Sequence, residues 1–309
     1  MSIVNQFKIL SYITAYEDEQ AVNSCLSAIK NQSIPITNIF IVDNSSNQSI
    51  TRSTQDTLII EHHPENLGVS GGLNIALKWA IKHNYDFIWT FDQDSLPTTN
   101  CLEILLGVYQ KLSADNYQIG IIAPTPMDTK TQEVVQGAVF DRYYFIGCEH
   151  QEDLELYECD APITSGSLIN LAATKTIFFP RADLFIDGVD IDYGMRLKKQ
   201  GFHNIIVTQA IMYHNFGKPI QIKLFNQERY IQKYSALRHY YICRNHTYLE
   251  TRYAQGCYRL ISLLWRTKYM VYTIFWISLY DAEGKFVKIW ACLLGTYHGL
   301  IGKLGKLWR

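Results

Sequence analysis

The chain has 309 residues, of which 48% are hydrophobic and 18% charged, which indicates a globular protein with a sizeable core and argues against a disordered one. The net charge of −1 is the sum of two parts of opposite sign. Residues 1–219 carry 14 Lys/Arg and 25 Asp/Glu, whereas residues 220–309 carry 14 Lys/Arg and 4 Asp/Glu. Seven scattered cysteines without a Cys-x-x-Cys pair argue against a disulfide framework or zinc site and favour reduced thiols in a cytosol.

Strand and helix signals alternate through the first part of the chain. The N-terminus lacks an apolar signal core. Apolar runs predict strands at 7–16, 36–42, 58–62, 85–91 and 119–123, and helical spacing predicts helices at 18–31, 70–83 and 100–113. Repeated β-α units of this length predict an α/β fold with a doubly wound, mostly parallel sheet. No Gly-x-Gly-x-x-Gly follows the first strand, which weakens a nicotinamide or flavin interpretation.

The pattern loosens from Gln132 to Ser167, where we expect strands and loops that cross the sheet, and a further strand is predicted at 205–213. The rest reads as helices at 226–251, 253–279 and 284–307. We therefore predict a catalytic domain over 1–219 and a basic, aromatic helical region over 220–309. The longest apolar stretch, at 269–280, is about 12 residues, well below the ~20 that a membrane span needs.

Two carboxylates, Asp92 and Asp94, follow the apolar run 85–91, and Ser95-Leu-Pro97 ends that run with turn chemistry. Ligands bind at the carboxyl ends of strands in open α/β sheets. Carboxylate oxygens at such an edge suit Mg²⁺ or Mn²⁺, which commonly bridges nucleotide phosphates. An Asp-x-Asp motif alone arises about once by chance in a chain of this length, so its meaning depends on the neighbouring motifs.

Asp43 ends the second strand, where it can bind a nucleoside base or ribose or, equally, start a turn with the residues that follow. A glycine- and asparagine-rich segment then precedes the next helix. Its glycines would let the backbone approach a ligand, and its amides would fix the ligand or the loop; the alternative is an ordinary turn and cap. The residues concerned are Asn66, Gly68, Gly72 and Asn74.

Three aspartates precede a basic helix near residue 196. Asp192 and Arg196 lie four residues apart and can pair, which leaves Asp190 as the carboxylate best able to act as a general base. The alternative is an acidic first helical turn that also includes Asp187. His214 follows the strand at 205–213 and is either structural or, beside the Asp pair, a metal ligand or pyrophosphate contact.

In this order the motifs resemble a family 2 glycosyltransferase of the GT-A fold. Phe91-Asp-Gln-Asp-Ser95 and Phe185-Ile-Asp-Gly-Val-Asp190 are most similar to its bacterial rhamnosyltransferase branch, and Arg238-His-Tyr-Tyr241 with Arg244-Asn245 resembles an aromatic-Arg-Asn element of that branch. The resemblance covers about residues 7–250. Two departures exist: Val189 replaces the glutamate that often precedes the base, and the first strand ends in Tyr16-Glu17 rather than Tyr-Asn.

The resemblance implies a role for each matching residue. Asp190 would be the base of an inverting single displacement, with Arg196 orienting it and Asp192 beside it in the substrate site. Asp92, Asp94 and His214 would hold Mg²⁺ or Mn²⁺. The remaining residues of the implied nucleotide-sugar and acceptor site are Asp43, Asn66, Gly68, Gly72, Asn74, Asp92, Ser165, Gly166 and Arg244; for Arg244 the alternative is a structural role.

We therefore expect transfer of L-rhamnose from dTDP-rhamnose to a glycan or lipid-linked acceptor in bacterial surface polysaccharide synthesis. Alternatives are another donor, UDP-galactofuranose or UDP-GlcNAc, and a silent glycan- or membrane-binding module; a nucleotidyltransferase is disfavoured because no basic phosphate loop opens the first strand. The basic, aromatic tail favours peripheral contact with an anionic membrane at the cytoplasmic face over nucleic acid, since no nucleic-acid-reading motif occurs. A basic subdomain with a solvated face is the plainer alternative.

Overall fold

The computed structural model describes residues 7–47, 50, 57–215, 219–224, 227–281 and 283–308. The chain divides into two compact units. The first comprises 1–139, 147–182 and 189–215, and the second comprises 140–146, 183–188 and 216–309. The sequence placed the border at 219/220 and assigned both short segments to the first domain, because nothing local marks them as partners of the C-terminal helices.

A nine-stranded mixed sheet forms the centre of the first unit. Its strands are β1 (Ile9–Ala15), β2 (Asn38–Asp43), β3 (Leu58–His62), β4 (Phe87–Asp92), β5 (Ser95–Pro97), β6 (Ile119–Asp128), β9 (Leu156–Glu158), β10 (Leu168–Asn170) and β11 (His203–His214). Two further strands, β7 (Ala138–Asp141) and β8 (Tyr144–Gly147), pair with each other. The strand order is β3-β2-β1-β4-β10-β6-β11-β5, and β9 pairs with β11.

The predicted α/β class is confirmed, although the sheet is more mixed than the sequence indicated. β3, β2, β1 and β4 are parallel, as are β6 and β11. The short strand β10 lies antiparallel between β4 and β6, and β5 and β9 are antiparallel to β11. Strands of three residues are too short to show a period of two, so the sequence did not reveal these antiparallel additions.

Helices on the sheet bury a continuous apolar core. They are α1 (Glu19–Lys30), α2 (Gly68–Lys82), α3 (Cys101–Ala114), α4 (Leu171–Thr174) and α5 (Val189–Lys199). Asp18 caps α1, because its carboxylate accepts the Ala21 N–H at 3.0 Å. Fully buried Ile13, Ile41 and Trp89 belong to the core that these helices share with the strands.

The second unit contains a hairpin and three helices. The hairpin strands are β12 (Pro219–Leu224) and β13 (Gln227–Gln232), and the helices are α6 (Ala236–Tyr253), α7 (Tyr258–Tyr280) and α8 (Lys285–Ile301). The helix predicted from 226 was wrong for Gln227–Gln232, which form β13; residue 226 lies outside the described residues, and α6 begins at Ala236. The alternation of Ile220, Ile222 and Leu224 with polar residues is the strand signal that the helical interpretation overlooked.

Candidate active site

Polar side chains collect where the parallel strands end. The register aligns Asp43 of β2 with Ala15 of β1 and aligns Asp92 of β4 with Thr14 of β1. The two aspartates therefore stand on either side of the same strand, at its carboxyl end. This is the edge at which open α/β sheets bind ligands.

Asp43 is fully buried, and only one of its two carboxylate oxygens has a hydrogen-bond partner. Its Oδ1 accepts the N–H of Ser45 at 3.0 Å, as an aspartate does in a turn. Its Oδ2 is buried and has no hydrogen-bond partner. A buried carboxylate oxygen without a donor is costly, and the N–H of a base or a ribose hydroxyl would satisfy it. The turn and the nucleoside interpretations thus apply to different oxygens of one side chain.

A chain of short polar contacts joins the end of β4 to the end of β11. The hydroxyl of Ser165 accepts the N–H of Asp92 at 2.8 Å and lies 2.5 Å from Ser95 Oγ. Ser95 Oγ is in turn 2.9 Å from His214 Nδ1, because β5 and β11 pair Ser95 with His214. The same Nδ1 lies 3.6 Å from Asp94 Oδ1. Ser95, Ser165 and His214 are all buried, so this network is held rigidly.

Asp94 and His214 provide two donor groups for a divalent ion. Asp94 keeps 35% of its side chain exposed, whereas His214 keeps 10%. Among the described residues no group of three or more His, Cys, Asp or Glu side chains is arranged to hold a metal, and the set of Asp92, Asp94 and His214 stays a prediction. Nucleotide-bound Mg²⁺ commonly takes one or two carboxylates plus phosphate oxygens, so the Asp94 carboxylate, with the His214 imidazole beside it, fits such an ion.

The carboxylates give this edge a negative field. Burial raises the pKa of the Cys25 thiol, and the charges of Asp92 and Asp94 raise it further. Burial likewise raises the pKa of Tyr12, and Asp92 adds to that shift. A divalent cation bound here would be stabilised by the same charges.

The Ser165-Gly166 turn is required by close packing. Gly166 has φ +81°, its N–H donates to the Thr90 carbonyl at 2.7 Å, and its carbonyl accepts the Trp89 Nε1–H at 2.8 Å. A Cβ atom at this position would lie 2.6 Å from Met212 Sδ and 2.8 Å from Pro124 Cγ. The turn therefore fixes Ser165 against β4.

We expect Gly166→Ala to lower the free energy of unfolding by about 2–4 kcal/mol, because it adds both left-handed backbone strain and a clash. Gly107→Ala is the matched control: Gly107 lies in α3 with nothing within 4 Å of its added Cβ, so this change should be neutral or stabilising by up to about 1 kcal/mol. Urea unfolding measures both. Equal midpoints for the Gly166 variant and the wild type would contradict the packing argument.

Asp190 lies in the first turn of α5, where its Oδ1 accepts the Ile191 N–H at 2.9 Å. The predicted pair is confirmed four residues apart, with Arg196 Nε 2.9 Å from Asp192 Oδ2. Arg196 also donates to the carbonyls of Phe178 and Phe179. These contacts anchor α5 through Asp192, and the role of Arg196 in orienting Asp190 stays a prediction.

The Asn66–Asn74 segment mainly holds the fold. Asn66 has φ +52° and its Oδ1 accepts the Gly68 N–H at 2.9 Å, which closes the loop before α2. A Cβ at Gly72 would lie 2.4 Å from Tyr12 Oη, so this glycine permits α2 to pack on β1. Asn74 donates to the Pro180 carbonyl at 2.6 Å. Gly72 thus serves packing, whereas Asn74 Oδ1 is buried without a hydrogen-bond partner, so the ligand role of Asn74 stays a prediction.

Arg244 is fully buried in the second unit, and its donors are used by that unit. Its guanidinium donates to the Asp183 and Leu184 carbonyls at 3.0 and 2.9 Å, to the Gly305 carbonyl, and to Asn245 Oδ1 at 2.8 Å. Asn245 binds the Leu184, Ile186 and Asp187 carbonyls. The predicted substrate contact of Arg244 is therefore replaced by a structural role: this pair holds the 183–188 segment on α6.

Two polar residues of this edge escaped the sequence analysis. Gln93 accepts the Tyr16 N–H at 2.6 Å and donates to the Tyr16 carbonyl at 3.1 Å, which ties the end of β1 to the Asp92–Asp94 turn. Ser95 links Ser165 to His214. Their position between and beside two aspartates at a strand end was the available signal.

Comparisons with known proteins show the family and the fold of this chain. The family model described as "Glycosyl transferase family 2" matches residues 12–178. The dTDP-rhamnosyl transferase RfbF of Shigella flexneri is 25% identical over 256 residues, which cover 77% of this chain and 78% of the relative.

Two kinds of solved structure share the fold at low sequence identity. GalNAc-T7 with UDP, GalNAc and Mn²⁺ superposes with a TM-score of 0.55 at 13% identity, over 67% of this chain and 44% of that one. S. aureus TarS superposes with a TM-score of 0.51 at 14% identity, over 90% of this chain and 45% of that one. Its 1–349 fragment superposes with a TM-score of 0.51 at 14% identity, over 94% of this chain and 80% of the fragment. The chain thus spans less than half the length of the first two structures, and these matches bear on the fold alone.

Proposed function

Because the chain belongs to glycosyl transferase family 2 and has a GT-A-like fold, we propose that it is a rhamnosyltransferase. It would transfer L-rhamnose from dTDP-rhamnose to a glycan or lipid-linked oligosaccharide in bacterial surface polysaccharide synthesis. One arrangement supports a nucleotide-sugar site most strongly. Asp43, with a buried unpartnered oxygen, stands on one side of β1, and the network from Asp92 to His214 stands on the other.

In the proposed reaction the acceptor hydroxyl oxygen attacks the anomeric carbon as the bond from that carbon to the nucleoside diphosphate breaks. Asp190 takes the hydroxyl proton, and the diphosphate leaves with the bonding electrons. One displacement inverts the anomeric configuration. Arg196 would orient Asp190 through the helix, because its bonds to Asp192 and to the 178–179 carbonyls keep α5 in place.

Asp94 and His214 would hold Mg²⁺ or Mn²⁺, with diphosphate oxygens completing the coordination. Such an ion, when bound, neutralises the charge of the leaving diphosphate. The chain's own part is to hold the two donors: Ser95 lies 2.9 Å from His214 Nδ1 and fixes the imidazole ring, as a polar neighbour does for many metal-binding histidines.

The identity of the nucleotide-sugar donor is the most specific part of the proposal. It rests on the dTDP-rhamnosyl transferase relative and on the likeness of residues 91–95 and 185–190 to that branch. UDP-galactofuranose and UDP-GlcNAc are the alternatives, because Asp43 can accept a hydrogen bond from either thymine or uracil.

A thermal-shift panel of dTDP, UDP, GDP and their sugars, each with and without Mn²⁺, tests the donor. At a hundredfold excess over the dissociation constant we expect dTDP-rhamnose with Mn²⁺ to raise the Tm by about 5 °C. Asp43→Asn should remove most of that rise by replacing an acceptor-only carboxylate with an amide. A rise with UDP ligands alone would discard rhamnose, and no rise with any nucleotide would contradict donor binding.

We also propose that the second unit contacts an anionic membrane surface peripherally, at its cytoplasmic side. None of the described helices is long and apolar enough to span a membrane. Both α7 and α8 expose large apolar side chains: Leu260, Leu264, Val271, Phe275 and Leu279 on α7, and Phe286, Trp290, Leu293, Tyr297 and Leu300 on α8. Residues 220–309 carry 14 basic against 4 acidic side chains, so anionic headgroups are the complementary partner.

Liposome co-sedimentation tests this contact. Phe286, 84% exposed, is expected to insert, so Phe286→Ser should weaken binding to phosphatidylserine-containing vesicles about tenfold. Phe178→Ser is the matched control, since Phe178 is 90% exposed in the first unit and should be neutral. Equal wild-type binding to neutral and anionic vesicles, or equal losses in both variants, would count against the proposal.

A further inference from the structure

A cavity of about 200 Å³ in the second unit is lined by none of the residues assigned to the transfer step. Five tyrosine and tryptophan side chains form half of its wall: Tyr234, Tyr269, Tyr272, Trp276 and Tyr280. Trp276 and Tyr280 stack with centroids 5.3 Å apart and planes at 27°. Tyr272 is 57% exposed, which places an accessible aromatic face at the cavity. All of these residues belong to the same unit.

Two polar atoms of the wall are buried without hydrogen-bond partners. They are the indole Nε1–H of Trp276, a donor, and Oδ1 of Asp281, an acceptor. The Asp281 side chain is 9% exposed; its other oxygen bonds Lys288, and Lys233 Nζ lies 3.9 Å from Oδ1. One unused donor and one unused acceptor in an aromatic cavity indicate a ligand that has both apolar and hydroxyl groups.

The charges of the cavity narrow the ligand class. Lys233 and Lys288 pair with the carboxylates of Asp281 and Glu283, so the charges beside the cavity balance and favour an uncharged ligand. Burial, with the charge of Lys288, lowers the pKa of His239 in the wall to about 4, so its ring is neutral near pH 7. An acyl chain would leave the Trp276 donor and the Asp281 acceptor unpaired in an apolar contact, and an anion could not donate to Asp281.

We propose that this cavity binds one pyranose unit of a glycan. The C–H face of the sugar would stack on Tyr272 or Trp276, one hydroxyl would donate to Asp281 Oδ1, and another would accept from Trp276 Nε1. A pyranose ring is of a size to fit about 200 Å³. That the glycan is the acceptor of the transfer rests on the proposed function; the sugar site itself does not.

Saturation-transfer-difference NMR on the full chain, without nucleotide or metal, tests the site. The probes are methyl α-L-rhamnopyranoside, methyl β-D-glucopyranoside, cyclohexanol and tetramethylammonium. We expect at least one pyranoside to bind with a dissociation constant on the order of millimolar, and both non-sugar probes to bind more weakly. Because no nucleotide is present, a failure of donor binding leaves this measurement unaffected.

Two variants and one control locate the binding. Trp276→Phe keeps an aromatic ring but removes the N–H, and exposed Tyr272→Ala removes a stacking face; each should weaken pyranoside binding about fivefold. Tyr117→Ala, at an exposed Tyr of the first unit outside the wall, should leave it unchanged. Absence of pyranoside binding, stronger binding of cyclohexanol or tetramethylammonium, or equal affinity in the Tyr272 and Tyr117 variants would overturn the proposal.

Discussion

Asp190→Asn is expected to lower kcat by about 10²–10⁴-fold, the range that general-base catalysis contributes. Asparagine has nearly the same shape and can still accept the Ile191 N–H that Asp190 now accepts at 2.9 Å. It cannot take a proton from the acceptor hydroxyl. Nucleotide affinity should stay within about twofold of the wild type, because the proposed role lies in the transition state and not in donor binding.

Steady-state kinetics with donor and acceptor, together with nucleotide titration, measure this prediction. Asp115→Asn is the control, since Asp115 is an exposed carboxylate at the end of α3. It should change neither kcat nor affinity. A normal kcat in the Asp190 variant would move the base elsewhere, whereas a large loss of nucleotide affinity would make Asp190 a donor-binding residue.

Asp94→Asn is expected to reduce turnover about 10²-fold or more at a fixed Mn²⁺ concentration, and to raise the Mn²⁺ concentration needed for half-maximal activity. The replacement removes the charged member of the pair that lies 3.6 Å from His214. EDTA should abolish wild-type turnover, and Mn²⁺ or Mg²⁺ should restore it. These effects would follow from a two-donor site that depends on phosphate oxygens for the rest of its coordination.

Calorimetric Mn²⁺ titration with and without dTDP gives a second measurement that does not depend on turnover. We expect Mn²⁺ to bind tightly only when the diphosphate is present, because the described residues offer no three-ligand cluster. Turnover that is indifferent to EDTA would overturn the metal role. Tight Mn²⁺ binding without nucleotide would contradict the two-donor arrangement.

Much of the fold could be read from local patterns. The predicted strand at 58–62 coincides with β3, and the predicted helix at 100–113 matches α3 within a residue. A buried strand and an amphipathic helix leave a periodic mark in adjacent residues, and Asp18 was a recognisable cap. The Asp192–Arg196 pair was also predictable, because the helix itself brings residues four apart together.

The sequence also located the aspartates at the carboxyl edge, because Asp43 and Asp92 directly follow apolar runs and parallel strands end at one edge. It could not distinguish Asp43's two oxygens, one satisfied within its turn and the other buried without a partner. The sequence also suggested a substrate contact for Arg244 because of its charge. Only the tertiary structure showed that this guanidinium is buried and donates to four acceptors of its own unit.

By itself, then, the sequence determined the α/β class, the positions of most strands and helices, and the acidic edge of the sheet, since each depends on residues near one another in the chain. Tertiary structure alone decided what depends on distant segments. Ser95 meets Ser165 and His214 across 70 and 119 residues, and residues 183–188 join the helices of the second unit. The aromatic cavity likewise exists only because α6 and α7 pack together, and no local period records which side chains such packing leaves without partners.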